Sequence, residues 1–94
     1  MSDWGWDTRK ARLNLEKHGV SFEIAEMVFD DPMNFSEPDT HPDGDRWRTI
    51  GLVGYAVLFV VHTLIEPDFD EGRIISARKA EPHERKQYEK IYLS

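Results

Sequence analysis

The chain has 94 residues, no cysteine and a formal net charge of -6, with 39% hydrophobic, 12% aromatic and 32% charged residues. That length holds one small domain, residues 1–94, and excludes two. The lack of cysteine excludes a disulfide framework, a thiolate zinc site and a cysteine nucleophile, and suits a reducing cytoplasm; the polar N-terminus and the short apolar run Ala56 to Val61 offer no membrane span.

In chain order, Asp7 is a helix N-cap. Ala11 and Leu15, with Leu13 beside them, predict a helix over 8–18 that stops at His18-Gly19. Ser21 caps a second helix whose stripe is Phe22, Ile24, Ala25, Val28 and Phe29, and Asp31-Pro32 ends it. Residues 32–45, PMNFSEPDTHPDGD, read as a loop. Strands follow over 46–53, 55–65 and 73–79, separated by turns at Gly54 and at EPDFDEG (66–72). Pro82 opens a last helix with Tyr88, Ile91 and Tyr92 on one stripe. The order α-α-β-β-β-α describes a small α+β domain: an antiparallel meander of three or four strands packed by helices. Val57 to Val61 is apolar on both faces, so that strand needs cover on both sides or a partner to supply it.

The acidic balance conceals a division. Residues 21–45 carry eight acids and no Lys or Arg, a charge of -8, which leaves the rest of the chain at +2. Residues 72–94 hold six cations against three acids, and residues 9–17 hold Arg9, Lys10, Arg12 and Lys17 against Glu16. This asymmetry suits two surfaces, one for an anion such as nucleic acid and one for a cationic partner.

His18, His41, His62 and His83 are scattered with no metal-ligand spacing, and no Gly-rich phosphate loop or nucleophile elbow is present, so neither metal nor cofactor is expected. RNA cleavage suits the remaining toolkit of Arg, Lys, His and carboxylates. The substrate supplies its own nucleophile in the 2′-OH, and the protein supplies a proton acceptor, fixed cations and a proton donor. Arg73 and Arg78 are candidates for the phosphate, although a regular strand puts them on opposite faces unless a bulge or strand end intervenes. His62 within a strand is either a satisfied core residue or a proton-transfer group. His18 either complements the helix dipole or meets RNA, Lys79 is close to a solvated charge, and Trp4 and Trp6 either stack on bases or pack the N-terminus.

Residues 6–32, WDTRKARLNLEKHGVSFEIAEMVFDDP, resemble the opening of BrnT-type toxins, and RIISARKA (73–80) with Glu84, Arg85 and Tyr88 resembles their ending. RWRTIG (46–51) and VVHT (60–63) fit between them in order and spacing. The resemblance implies the toxin of a type II toxin–antitoxin pair: a cytoplasmic, metal-independent endoribonuclease with a RelE-like fold that inhibits translation. It also implies a BrnA-like antitoxin that neutralises the toxin in a dimer of heterodimers and alone brings the complex to operator DNA. Carried over by position, Lys10, His18, Arg73 and Arg78 match family residues. The catalytic set is then Arg73, Arg78, His62 and Lys10, and the RNA-binding set is His18, Lys17, Arg48 and Lys79. The chain departs from the family where His62 replaces a common Tyr and where Leu64 and Ile65 replace an Arg, a loss that Arg48 is placed to offset. Glu81 stands where relatives place Thr, which costs the last helix an N-cap worth about 1 kcal/mol. The alternative is a module without catalysis that serves as the antitoxin's partner in a DNA-bound repressor.

Overall fold

The computed structural model describes residues 4–40, 46–63 and 72–93. Leu64, Ile65, most of the 66–72 turn, and His41, Asp43 and Asp45 of the expected loop lie outside the described residues, as does the Tyr92 side chain.

Helix α1 spans Thr8–His18. The Asp7 carboxylate accepts from the backbone N–H of Arg9 (2.8 Å) and Lys10 (3.1 Å), and Gly19 closes the other end in the left-handed conformation, with φ 70°. Those backbone donors, ahead of the opposing cost of burial, hold the Asp7 carboxyl below its usual range. The expected apolar stripe of α1 is not what seals it. Leu13 and Leu15 are about half exposed, whereas Asn14 is buried. Its amide donates to Val20 O (2.9 Å) and Ala77 O (2.8 Å) and its carbonyl accepts from Ala77 N (3.1 Å), so a polar side chain ties the helix to the sheet.

The second helix is shorter than the periodicity predicts. Ser21 caps α2, Phe22–Ala25, through Ile24 N (3.1 Å), and the chain then tightens into a 3₁₀ turn over Glu26–Asp30. Phe22, Ala25 and Val28 are fully buried as the stripe requires, while Ile24 is left half exposed.

Among the described residues five strands, not the three or four expected, make the sheet: β1 Trp4–Gly5, β2 Phe35–Pro38, β3 Trp47–Val53, β4 Ala56–His62 and β5 Gly72–Lys79, in the order β1-β5-β4-β3-β2. β3, β4 and β5 form the expected antiparallel meander. β2 arises inside the segment read as a loop. Its Pro38 is tolerated because β2 is an edge strand. β1 adds a short parallel pair at the other edge, Trp4 opposite Gly72 and Gly5 opposite Arg73. The β3–β4 hairpin turns on Gly54-Tyr55, where Gly54 adopts φ 61° as a tight hairpin requires.

α1, α2 and the 3₁₀ turn cover one face of the sheet. The core there joins Val20, Phe22, Ala25, Val28, Leu58, Val60, Ile74 and Ala77, with Trp4, Trp6 and Phe29 packed against it. Helix α3, Pro82–Leu93, crosses part of the other face. Tyr88 on α3 is buried and donates its hydroxyl to Asp31 Oδ2 (2.6 Å), which also accepts from Leu52 N (2.8 Å). Burial pushes Asp31 up, but these donors and Met33 N outweigh it and the carboxyl titrates low. Among the described residues no helix is long and apolar enough to cross a membrane.

Candidate active site on the open face of the sheet

The strand register assigns each candidate to a face. Leu58, Val60 and His62 of β4, with Thr49 and Gly51 of β3 and Ile74 and Ala77 of β5, face the α1–α2 layer. Arg48 and Ile50 of β3, Phe59 and Val61 of β4, Ser76 and Arg78 of β5 and Glu37 of β2 face the other way.

A bulge lies between Val61 and His62: Val61 pairs with Ser76 but His62 with Ile74, so Ile75 is the extra residue. It reverses the parity of β5. Arg73, one before Ile74, and Arg78, one after Ala77, consequently share the open face. Five residues of strand still separate them by roughly 16 Å, too far for one phosphate. Arg73 is exposed near the β1 edge, its backbone N–H bound by Thr63 Oγ1 (2.8 Å) and its charge helping to lower the Asp7 carboxyl.

Arg78 is held from three directions. Its guanidinium forks onto Glu84 (Nη1 to Oε1 2.7 Å, Nη2 to Oε2 3.0 Å), donates to Lys79 O (3.2 Å) and stacks 4.1 Å above the Phe59 ring. The hydrogen bonds it donates to Glu84 raise the Arg78 pKa further. Glu84 is 7% exposed; burial pushes its carboxyl up, but Arg78 and the Glu81 N–H (2.8 Å) outweigh that and hold it below the usual range. The Glu81 contact also caps α3. Glu84, third in the helix, reaches back to the residue before it, which is half of a capping box and offsets the Thr that Glu81 replaces.

Beside this pair opens a cleft of about 190 Å³ lined by Glu37, Arg48, Ile50, Phe59, His83, Glu84 and Gln87. Arg48 Nε is 3.2 Å from Glu37 Oε1 yet misdirected, so it is a buried donor with no aligned hydrogen bond, and Arg48 Nη1 lies 4.0 Å from Asp39. His83 is exposed, its Nδ1 3.6 Å from Glu81. One cleft thus gathers two carboxylates, the Arg48 guanidinium and an imidazole, with Arg78 held beside it on Glu84.

The other expected residues lie elsewhere. His62 is 3% exposed on the covered face, with Nε2 2.6 Å from Thr49 Oγ1, Nδ1 2.6 Å from Thr63 O and its ring edge-on to Trp4 and Phe29. Burial pushes its pKa down. That satisfied, sealed position corrects the acid–base expectation for His62. Lys10 lies near the start of α1, and Lys17 and His18 near its end about 11 to 12 Å further along the axis, so no single phosphate meets all three. Lys79, exposed at the end of β5, shares an apolar groove with Gly19 of the α1 cap. Sequence reasoning passed over Glu84 and His83 as site residues. The signal for Glu84 was present, because an acid three places after Glu81 and two after Pro82 marks a helix start.

The family model described as ribonuclease toxin, BrnT, of type II toxin–antitoxin system matches residues 6–84, and the chain belongs to that family. Among solved structures it is similar to the 1.1 Å crystal structure of the Brucella abortus ribonuclease toxin, BrnT: the TM-score is 0.65 at 25% sequence identity, over 81% of this chain and 92% of that one. No curated relative matches the sequence.

Proposed function

We propose that this chain is a metal-independent endoribonuclease that stops translation by cleaving RNA in the cleft beside Arg78. The observation that carries this reading is the Arg78–Glu84 fork stacked on Phe59 next to Arg48 and His83. In the mechanism, Glu84, ionised because its pKa is depressed, accepts the 2′-OH proton, and the 2′ oxygen forms a bond to phosphorus. Arg78 and Arg48 take up the charge that grows on the non-bridging oxygens. The bond from phosphorus to the 5′ oxygen breaks, that oxygen takes a proton from His83, and the products are a 2′,3′-cyclic phosphate and a 5′-OH. Lys10 and Arg73, remote from the fork, serve phosphates further along the strand, as do Lys17, His18 and Lys79.

Membership of a type II system brings an antitoxin as partner. We place a BrnA-like antitoxin, in a dimer of heterodimers, on the apolar surface the helices leave open. Leu15 and Ile24 are half exposed on the lips of a groove of about 240 Å³ lined also by Val20, Val53, Ala56, Leu58 and Lys79. Glu23, Glu26 and Asp30 run along the same segment and complement a basic partner. Replacing Leu15 and Ile24 by Arg should abolish antitoxin co-purification and leave RNA cleavage intact.

The test of the enzyme is cleavage of single-stranded RNA by antitoxin-free protein in EDTA. Arg78→Ala and Glu84→Gln should each lower the rate about 100-fold or more. Full activity in Arg78→Ala overturns the assignment. A second reading, a non-catalytic partner of the antitoxin in a repressor, is favoured by one observation: Glu84 neutralises Arg78, and Glu37 and Asp39 flank Arg48. Growth arrest on expression of the chain alone, abolished by Arg78→Ala, decides for the enzyme. Normal growth with folded protein decides for the partner.

A further inference from the structure

On the other side of the first turn of α3 from the cleft, the tip of the β3–β4 hairpin and the end of β5 enclose a second concavity of about 220 Å³, lined by Tyr55, Ala56, Val57, Lys79, Ala80 and Arg85. Tyr55 is fully exposed, at 108% of its reference surface. It occupies the second position of a two-residue turn, where Asn, Gly or Ser would suit the backbone better, and its ring packs nothing into the core. A large aromatic side chain held out at a hairpin tip is a poor stabiliser of the fold and a good stacking surface.

Two cations flank the ring. Lys79 is exposed, and Arg85 is only loosely engaged, its Nε 4.0 Å from Glu89 with both side chains more than half in solvent. The floor between them is fixed, because Ala80 N donates to Val57 O (2.9 Å) and closes the β4–β5 ladder. The concavity shares no lining residue with the cleavage cleft but is joined to it along the chain. Arg78 donates to the carbonyl of Lys79, and Glu84 of the cleft precedes Arg85 on α3.

We infer that Tyr55, Lys79 and Arg85 form a docking platform for single-stranded RNA, in which the Tyr55 ring stacks on an unpaired base and the two cations hold the adjoining phosphates. Base–aromatic stacking tolerates any base, and backbone phosphates carry no sequence, so the platform lends affinity and register without dictating a cleavage sequence. The inference rests on the reading of the Arg78 cleft as the cutting site, which the platform would feed from one side. Duplex RNA keeps its bases stacked away from such a ring, so the platform selects single strands.

The experiment measures binding of a fluorescent 2′-O-methyl oligonucleotide, which lacks the nucleophile and stays intact, to antitoxin-free protein by anisotropy. Tyr55→Ala should weaken binding about tenfold and Tyr55→Trp should restore it. Lys79→Gln with Arg85→Gln should lower the slope of log affinity against log salt by roughly 0.7 for each phosphate that is no longer neutralised. With cleavable RNA, Tyr55→Ala should raise KM and leave kcat unchanged. Wild-type affinity in Tyr55→Ala overturns the platform, and so does loss of antitoxin binding with oligonucleotide affinity intact, which would assign the surface to the partner. Glu84→Gln separates the two ideas. If it keeps full cleavage the cleft assignment falls, while a Tyr55-dependent affinity in the same samples still supports the platform.

Discussion

The two faces of the sheet are built by opposite means. The face under α1, α2 and the 3₁₀ turn is sealed: Phe22, Ala25, Val28, Val60 and Ala77 are fully buried, and the polar groups among them, Asn14, Thr49 and His62, are each hydrogen bonded. The face under α3 is half finished. It carries ionised side chains on a partly open surface, Arg78 with Glu84 and Arg48 with Glu37, and a cleft stands where another layer of apolar residues would go. A buried salt bridge is weak support for a fold, because desolvating two charges cancels much of their attraction. Hence the sealed face holds the molecule together, and the open face keeps its charges for something other than stability.

The largest expected effect tests that division directly. Phe22→Ala on the sealed face should cost about 3 to 5 kcal/mol and leave a domain of this size largely unfolded in a denaturant titration. Replacing the pair together, Arg78→Met with Glu84→Gln, should cost far less, with its main consequence on RNA. Equal losses from the two would contradict the contrast. Next in size is Gly72→Ala, where the new methyl carbon would lie 2.5 Å from the Trp4 ring, itself stacked on Phe29 with centroids 4.0 Å apart. That ring has little room to retreat, so the melting midpoint should report a loss of about 1 to 3 kcal/mol.

Acid should divide the faces again, because both groups have folded pKa values below their unfolded ones. The stability they contribute is complete above the unfolded pKa and is lost as pH falls through the folded one. For His62, buried and neutral, the loss begins near its ordinary value of 6.5, with a slope no steeper than about 1.4 kcal/mol per pH unit. For Glu84 it begins near 4.5. Melting temperature against pH should therefore show a shallow decline between pH 7 and 5 that His62→Phe removes, and a second decline below 4.5 that Glu84→Gln reduces. A profile that ignores His62→Phe would mean that the ring is not kept neutral by burial.

Much of the fold was legible because its signals are local. Asp7, Ser21, Gly19, Gly54 and Pro82 each act within a few residues, and each bounds the element expected of it. The edge strands were not legible. β1 has two residues, and β2 lies in FSEP, whose proline and acid argue against pairing until β3 supplies a neighbour. The site divided along the same line. Arg78 could be singled out by charge and motif, but its partner Glu84 required the geometry of α3, and the burial of His62 depended on Trp4 and Phe29 from distant parts of the chain. The bulge at Ile75, which alone decides the side on which Arg73 falls, left no trace in RIISAR.

The smallest stability effect belongs to Arg73, and it is informative for that reason. The residue is exposed, and its backbone, not its guanidinium, makes the hydrogen bonds with Thr63, so Arg73→Ala should shift stability by no more than about 0.5 kcal/mol. If the open face works as a track for an RNA backbone, the same substitution should weaken binding of every single strand alike and lower the salt slope by roughly 0.7. It should also leave the rate at saturating RNA intact, since Arg73 lies some 16 Å along β5 from the Arg78–Glu84 fork. A fall in that rate to the level of Arg78→Ala would place Arg73 in the cleavage step itself. The bulge would then have to bring the two guanidinium groups together, and the division of the open face into one cutting site and its approaches would be wrong.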